Sequence, residues 1–588
     1  MLKEKRFLIT TALEGTWLED QPVLFLGEWC RLYSRKDRWS EMNAVVQTHH
    51  WDDREKFYTD YQYMNSFYER VLKDLSCKLN QIHGVGNSER YWRILVGPWL
   101  AYFIHILFDR WSSIESAVNN FEITNTVVQL GNEEALIPND INQFAVLMVG
   151  DEWNHHIYAE VLRRLDSAPI TFVNNKKHEL NVKNEKVKAS LKRYLALIYA
   201  AARYLARDTD AFLNSTYLPV FNELLLQLRL GQVPQLWGNV KPVNANLDWK
   251  QRDWAMSTQC QSEFEFFLLS MIPKQIPKVY LEGYQELVAQ IQSLPWPKSP
   301  KLIYTSNVLW HDSVSMAYTA EKVEKGTQLI CGQHGGGYGT ARFHFAEEHE
   351  IDIADCYLTW GWRNPSKKSV VPLGITKVKK KQLSSSRDIL LVITMNVWRY
   401  SFRLCAESAI NYGKYIDRSF SFMHQLNKKV FAKTLVRLSP VETGINLPMR
   451  WHDRFPTVKV DDGNSSIYSL MYKSRIVVHT YNQTGFLETL AMGIPTVLLV
   501  DLNETPLRES AIPYYAELKR VGIFHDTPES AAAHVNTIWD DVDSWWTSIE
   551  VQGVVAKFTK QYCYRPDSIV ESIETVIREV MAEHIIKN

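Results

Sequence analysis

Leu329-Ile330-Cys331-Gly332-Gln333-His334-Gly335-Gly336-Gly337-Tyr338-Gly339 runs from an apolar strand straight into a loop with five glycines in eight residues. Ligands of open α/β sheets gather at the carboxyl ends of strands, so a glycine-rich turn there predicts a binding loop. Glycine lets the backbone approach a ligand closely and adopt positive φ. The amides around Gln333, Gly335, Gly336 and Gly337 can then form a nest for an anion. His334 stands at the mouth, where an imidazole can donate to an oxygen or exchange a proton. The spacing is not that of a dinucleotide fingerprint, and no acidic residue is placed for a ribose.

A second stretch has the same logic. Arg475-Ile476-Val477-Val478-His479 reads as a strand and Thr480-Tyr481-Asn482-Gln483 as a polar loop. Thr484-Gly485-Phe486-Leu487-Glu488 then opens a helix that leaves through Gly493-Ile494-Pro495. Thr484 or Gly485 is the expected cap, and the exposed amides and helix dipole make a seat for phosphate. Glu488 is placed in the first turn, to serve the cap or to accept from hydroxyls. Asn482 joins this set. Third, Leu435-Val436-Arg437-Leu438-Ser439-Pro440 ends a strand with Arg437 and Ser439 on one side, both within reach of a phosphate.

Candidates for proton transfer follow two earlier strands. Glu14 lies just beyond Phe7-Leu8-Ile9-Thr10-Thr11, where a carboxylate can act as general base on a hydroxyl. His311 and Asp312 follow the strand Leu302-Ile303-Tyr304-Thr305. Asp151 and His155 share a helix face in DEWNHH, but no further metal ligands are signalled, and His49-His50 reads as structural or surface. No metal site is expected.

Around these motifs, short apolar strands at Ile389–Thr394, Thr434–Leu438, Val458–Val460, Arg475–His479 and Thr496–Val500 alternate with helical segments, which implies a parallel sheet. A helical segment is expected at about 402–428 and a terminal helix at Ser568–His584. Residues from about 55 to 165 and from 188 to 295, including Leu191–Leu205, read as helical. Asn174–Val187 reads as an exposed connection and Lys377–Arg387 as a linker. The 588 residues suggest three or more domain-sized units, and 46% hydrophobic residues suffice for ordinary cores.

Composition excludes some classes. The chain has 66 basic and 66 acidic residues, without the basic excess of a general nucleic-acid binder. Its seven cysteines form no CxxC pair, which fits a reducing compartment rather than a disulfide framework or zinc knuckle. The first residues lack a signal peptide's apolar run, and Ile94–Phe108 is too short to span a bilayer and reads as a buried helix. A cytoplasmic protein is expected, with peripheral attachment to the inner membrane left open.

The QHG loop after a strand, the Arg437-to-Pro440 strand end and the Thr484-to-Glu488 helix start with its Gly-x-Pro exit resemble GT-B glycosyltransferases of bacterial surface polysaccharides. The nearest patterns are capsule transferases for Kdo and other nonulosonic acids, and CDP-glycerol glycerophosphotransferases. With its FLITTALEGTW opening and GEWC segment, the chain resembles the transferase family of O-antigen and capsule loci, related to retaining pseudaminyltransferases.

The resemblance implies an α/β, GT-B-like fold of two Rossmann-like domains facing a cleft. Residues 1–380 would form the acceptor-side domain, with a helical elaboration at about 55–295. Residues 381–588 would bind the nucleotide-sugar and carry the terminal helix. The implied donor is a CMP-linked sugar such as pseudaminic acid, and the acceptor a glycan or lipid-linked glycan. Arg437, Ser439, Thr484, Gly485 and Glu488 would hold the nucleotide, and His334 would lie near the transferred group. Ser439-Pro440 stands where the related capsule enzymes usually show His-Pro. No cofactor is implied, and helix termini with basic side chains would neutralise the leaving phosphate without a metal. The alternatives are a polyol-phosphate transferase using CDP-glycerol, a nucleotide-sugar epimerase, and a non-catalytic envelope-assembly scaffold.

Overall fold

The computed structural model describes residues 3–174, 205–238, 240–377, 387–402, 404–407 and 411–587. Apart from their end residues, the expected connection Asn174–Val187, helix Leu191–Leu205 and linker Lys377–Arg387 lie outside the described residues.

The α/β class holds. Among the described residues there are three sheets, and every strand pair in them is parallel. The first contains β1 (Glu4–Ile9), β2 (Val23–Phe25), β3 (Ala44–Val46), β4 (Phe121–Leu130) and β5 (Ile170–Asn174), in the order β3-β2-β1-β4-β5. The second contains β6 (Phe212–Leu213), β7 (Leu302–Thr305), β8 (Gln328–Gly332), β9 (Cys356–Thr359) and β10 (Val370–Pro372), in sequential order. The third contains β11 (Ile389–Ile393), β12 (Thr434–Arg437), β13 (Lys459–Asp461), β14 (Ser474–His479), β15 (Thr496–Leu499) and β16 (Phe524–His525), in the order β13-β12-β11-β14-β15-β16. That third order is the doubly wound one, whose switch point falls between β11 and β14.

The strands read from the sequence in the third sheet are all present, within a residue or two of their expected ends. The expected helix at about 402–428 is shorter, Tyr412–Gln425, and the terminal helix runs Ile569–Lys587. The helical reading of 55–165 and 188–295 is corrected at two places, because β4 and β6 lie inside those spans. The signal for β4 was available: Ile123, Thr124, Thr126, Val127 and Val128 are β-branched, which favours a pleated strand over a helix.

One apolar core serves the first and second sheets together and takes in Leu498 and Phe524 of the third. It joins Phe7, Leu24 and Val127 to Ile303 and Leu329 through the buried helix Gly97–Asn120. Ile94–Phe108 therefore lies in the protein core. Pro98 sits in the first turn of that helix, where its missing N–H is harmless. Here the chain bends by 67° between Glu89–Leu95 and Gly97–Asn120, and no single helix among the described residues is long and apolar enough to cross a membrane. In the third sheet Leu390 and Val392 face one core while Leu391 and Ile393 face another, the alternation of a strand covered on both sides. The terminal helix returns to the second sheet, packing Val570, Ile573 and Ile577 against Leu302, Ile330 and Leu358.

Two partly buried ionic contacts tie the third sheet to the other two. Asp151 accepts from Arg399 Nη1 at 3.0 Å and Nη2 at 2.5 Å, from the Tyr400 hydroxyl at 2.6 Å and from Ala12 N at 3.1 Å. Glu347 accepts from Arg508 Nη2 at 2.8 and 3.0 Å and from Gly339 N at 2.6 Å.

Candidate active site

The two motifs that the sequence marks out meet. Gly336, in the loop after β8, lies against Gln483 and Thr484 at the start of the helix Thr484–Met492. A Cβ built on Gly336 would stand 2.2 Å from Thr484 N and 2.3 Å from Gln483 C. A Cβ on Gly337 would meet Gln483 Nε2 at 3.2 Å. These glycines serve backbone approach between two sheets. Only Gly339 of this loop has positive φ, at 76°, and a Cβ there would enter the Trp362 ring.

Gln333 shapes the loop. Its Oε1 accepts from Trp360 N and Trp362 Nε1, both at 2.9 Å, and its Nε2 donates to Gly335 O at 2.9 Å. The acid that meets a loop amide is the chain's own Glu347, at Gly339.

His334 leaves the loop toward a buried carboxylate. Its Nε2 lies 2.8 Å from Glu350 Oε1 and 3.0 Å from the Tyr338 hydroxyl. Glu350 also accepts from Trp310 Nε1 at 2.6 Å, from Tyr338 at 3.1 Å and from Tyr357 at 3.2 Å. With Nε2–H donated to Glu350, Nδ1 is the nitrogen with a lone pair to offer. A buried acid that fixes the tautomer and orients the ring is an arrangement found beside general bases.

Beside His334 stands Tyr217, ring centroids 5.8 Å apart. Tyr217 has φ 63°, a left-handed conformation that a bulky side chain rarely adopts. Lys377 Nζ sits over its ring at 3.5 Å. Burial pushes the Tyr217 phenol up, helped by the charges of Glu488 and Glu350. Lys377 is lowered by burial, with Glu488 pulling the other way. Glu488 is itself raised by burial, against the Tyr468 hydroxyl at 2.9 Å and the charge of Lys377. His334, Tyr217 and Lys377 thus follow one another in contact, and Glu488, bound to Tyr468, is near enough for its charge to reach Lys377.

The remaining expected residues divide. His311 lies close enough to feel the His334 charge and is lowered chiefly by burial. Asp312 caps the helix Ser313–Glu324, accepting from Val314 N and Ser315 N at 3.0 Å, so its carboxylate holds a helix start. Glu14 belongs to the first sheet's loops, bound by Arg35 at 2.6 and 2.7 Å and by Arg38, and the Arg35 bond is the chief cause that lowers it. Arg437 is paired with Asp461, and Ser439 Oγ accepts from Val441 N at 3.1 Å within its own turn. Asn482 accepts from the Tyr515 hydroxyl at 2.7 Å.

The expected cap at Thr484 or Gly485 is corrected. Gln483 is the N-cap, without a side-chain bond, and Thr484 is the first helical residue. A Cβ on Gly485 would lie 3.2 Å from His479 Cε1. Glu488 accordingly falls in the second turn, too far along for a capping box. Sequence reading missed Tyr217, Glu350 and Tyr468 and took Lys377 for linker. None stands in a motif, and only Lys377 at the edge of a basic run carried a signal.

Among the described residues one cluster has metal-ligand chemistry: His49, His50 and Asp109. Asp109 Oδ1 accepts from His49 Nε2 at 2.9 Å and His50 Nε2 at 3.0 Å, and Arg110 pairs with the same carboxylate. Trp51 N donates to His49 Nδ1 at 3.2 Å, which leaves Nε2 as the protonated nitrogen. Burial holds His50 down at about 4. The trio is a donor shell around one buried carboxylate.

The fold and site define an α/β protein in which the glycine-rich loop of one parallel sheet meets a helix start of another, beside a histidine–carboxylate pair. A family model described as LIC12162 family transferase matches residues 6–575, and the chain belongs to that family. No curated protein matches it. Solved structures similar to it include a UDP-N-acetylglucosamine 2-epimerase, at 11% identity and TM-score 0.34, covering 64% of this chain and 96% of that one. The wall teichoic acid polymerase TagF matches at 8% identity and TM-score 0.29, covering 67% and 96%. MurG of Acinetobacter baumannii matches at 8% and 0.31, covering 63% and 99%. Likenesses this distant say nothing of substrate or reaction.

Proposed function

We propose that this transferase is a GT-B-like glycosyltransferase of bacterial surface polysaccharide synthesis, working in the cleft between the second and third sheets. The observation that carries the reading is the His334–Glu350 pair, set in line with Lys377 and Glu488 through Tyr217. The donor is a CMP-linked sugar, a nonulosonic acid such as pseudaminic acid, and the acceptor is a glycan or lipid-linked glycan.

His334 Nδ1 takes the proton of the acceptor hydroxyl as its oxygen bonds to the donor's anomeric carbon. The bond from that carbon to the phosphate oxygen breaks, and CMP leaves with the electron pair. Lys377 and the start of the helix Thr484–Met492 offset the charge on the leaving phosphate without a metal ion. Glu488 accepts from the ribose hydroxyls. Residues 1–380 serve the acceptor and 381–588 the donor. Reaction occurs at the cytoplasmic side, with peripheral membrane association for a lipid-linked acceptor.

A thermal-shift panel of CMP, CDP, UDP and GDP tests the reading. CMP raising the melting temperature most supports it. A preference for CDP points to the polyol-phosphate reaction, and a preference for UDP or GDP contradicts the CMP-linked donor.

A further inference from the structure

Four non-glycine residues among the described residues have positive φ: Asp166, Ser215, Tyr217 and Asn446. Asp166 closes the helix Asp151–Leu165 and Asn446 opens the helix Leu447–Arg454. Asp and Asn visit the left-handed region readily, and two helix ends account for them. Ser215, at 55°, and Tyr217, at 63°, stand two residues apart in the loop after β6 and cap no helix. A bulky residue held there is strained, and it persists only where its surroundings over-determine it.

The surroundings do so here. The loop lies across the end of β7 and is bonded to it. Asn214 N donates to Tyr304 O and Ser306 N to Ser215 O, both at 3.1 Å, and Ser306 Oγ donates to Thr216 O at 3.2 Å. Ser215 Oγ donates to Asn307 Oδ1 at 2.6 Å, Asn214 Nδ2 to Ser315 Oγ at 3.1 Å, and Thr216 Oγ1 to Glu223 Oε2 at 2.5 Å. Thr216 is fully buried. None of these bonds involves the Tyr217 side chain, so the framework fixes the backbone and the ring is what it presents.

The ring stands against His334, 5.8 Å between centroids, and Lys377 Nζ lies over its face, 3.5 Å from the centroid. The ring quadrupole attracts an ammonium in that place, more strongly as water is excluded. A lysine head on a flexible four-carbon stem needs such a seat to stay in one position. We propose that Tyr217 is a positioning residue: the face of its ring seats the Lys377 ammonium, and the left-handed loop keeps that seat against His334. The ring does this, not the hydroxyl. The task of Lys377, offsetting charge on a leaving phosphate, rests on the glycosyltransferase reading, whereas the seat does not.

Competitive acetylation of the full chain with acetic anhydride, read by mass spectrometry at Lys377, tests the seat. Tyr217→Leu removes the ring and should raise the acetylation rate about 2- to 5-fold, the equivalent of a cation–π contact at a partly exposed site. Tyr217→Phe should restore the wild-type rate. Tyr217→Gly stands in if Tyr217→Leu fails to fold. It should also melt above Tyr217→Ala, since only glycine is unstrained at this φ. A wild-type rate without the ring would mean that the Glu488 charge holds the ammonium alone, and overturns the proposal. A raised rate in Tyr217→Phe, or equal melting of the glycine and alanine variants, also overturns it.

Single-turnover transfer from a CMP-linked nonulosonic acid is read on the same proteins. The loss in Tyr217→Leu should be rescued by Tyr217→Phe and should add nothing to that of Lys377→Gln, as for two residues acting through one group. A further loss on top of Lys377→Gln contradicts the seat. If the wild type transfers nothing, the glycosyltransferase reading fails, and the acetylation rates still decide the proposal.

Discussion

The amide of Thr484 lies directly against the backbone of Gly336, so close that a Cβ on the glycine would stand 2.2 Å from the amide nitrogen. The loop after β8 and the helix after β14 therefore meet backbone to backbone, and the two sheets hold each other at that point. Gly336→Ala must push the second and third sheets apart. Forced overpacking of this kind costs about 1–3 kcal/mol. Denaturant midpoints should fall accordingly, while Gly15→Ala, with nothing within 4 Å of the built Cβ, should leave them unchanged. An unchanged Gly336→Ala midpoint would contradict the contact.

This contact shows where sequence reading succeeded and where it stopped. The loop at Gln333–Gly339 and the helix at Thr484–Met492 were legible because glycine, proline and strand patterns are local signals. What the glycines approach was not, since Gly336 and Thr484 are distant in the chain. Gln333 and Arg437 were read as ligand groups, yet their polar atoms meet Trp360, Trp362 and Asp461. Glu350 sits among other acids in Phe345–Ile353, and only its partners single it out. Asp151, within DEWNHH, gained its role from Arg399, a loop residue that no motif marks.

Asp151 is the acceptor on which the first and third sheets converge, taking Arg399, Tyr400 and Ala12 together. Asp151→Ala leaves a mostly buried guanidinium unpaired, which typically costs about 3–5 kcal/mol. We expect early unfolding and faster proteolytic cleavage around residues 395–402. Wild-type resistance in the variant would show that the pair does not hold the sheets.

Buried neutral histidines set the acid limit. Burial holds His479 down at about 3, and His50 and His155 at about 4, against 6.5 unfolded. The unfolded chain then binds more protons, so stability is full above pH 6.5 and is lost as pH falls toward 4 and 3. Each such group contributes a slope of up to about 1.4 kcal/mol per pH unit. Unfolding midpoints measured from pH 7 to 5 should fall, less steeply in His479→Gln; a flat profile would contradict the burial.

Glu488 shifts the other way. Its carboxyl is raised by burial, so the folded chain holds that proton longer and the group's contribution falls as pH rises through its folded pKa. Glu488→Gln should raise the melting temperature at pH 7. It should also weaken CMP about 10- to 100-fold, the loss of a hydrogen bond to a charged acceptor. Calorimetry showing unchanged CMP affinity would remove Glu488 from the donor site.

The central claim is that His334, oriented by Glu350, moves the proton in the transfer step. Single-turnover transfer from a CMP-linked nonulosonic acid, wild type against His334→Ala, tests it most directly. A rate loss of about 10²- to 10⁴-fold is expected, with CMP affinity and melting temperature near wild type. Transfer at the wild-type rate in a folded His334→Ala protein would contradict the account.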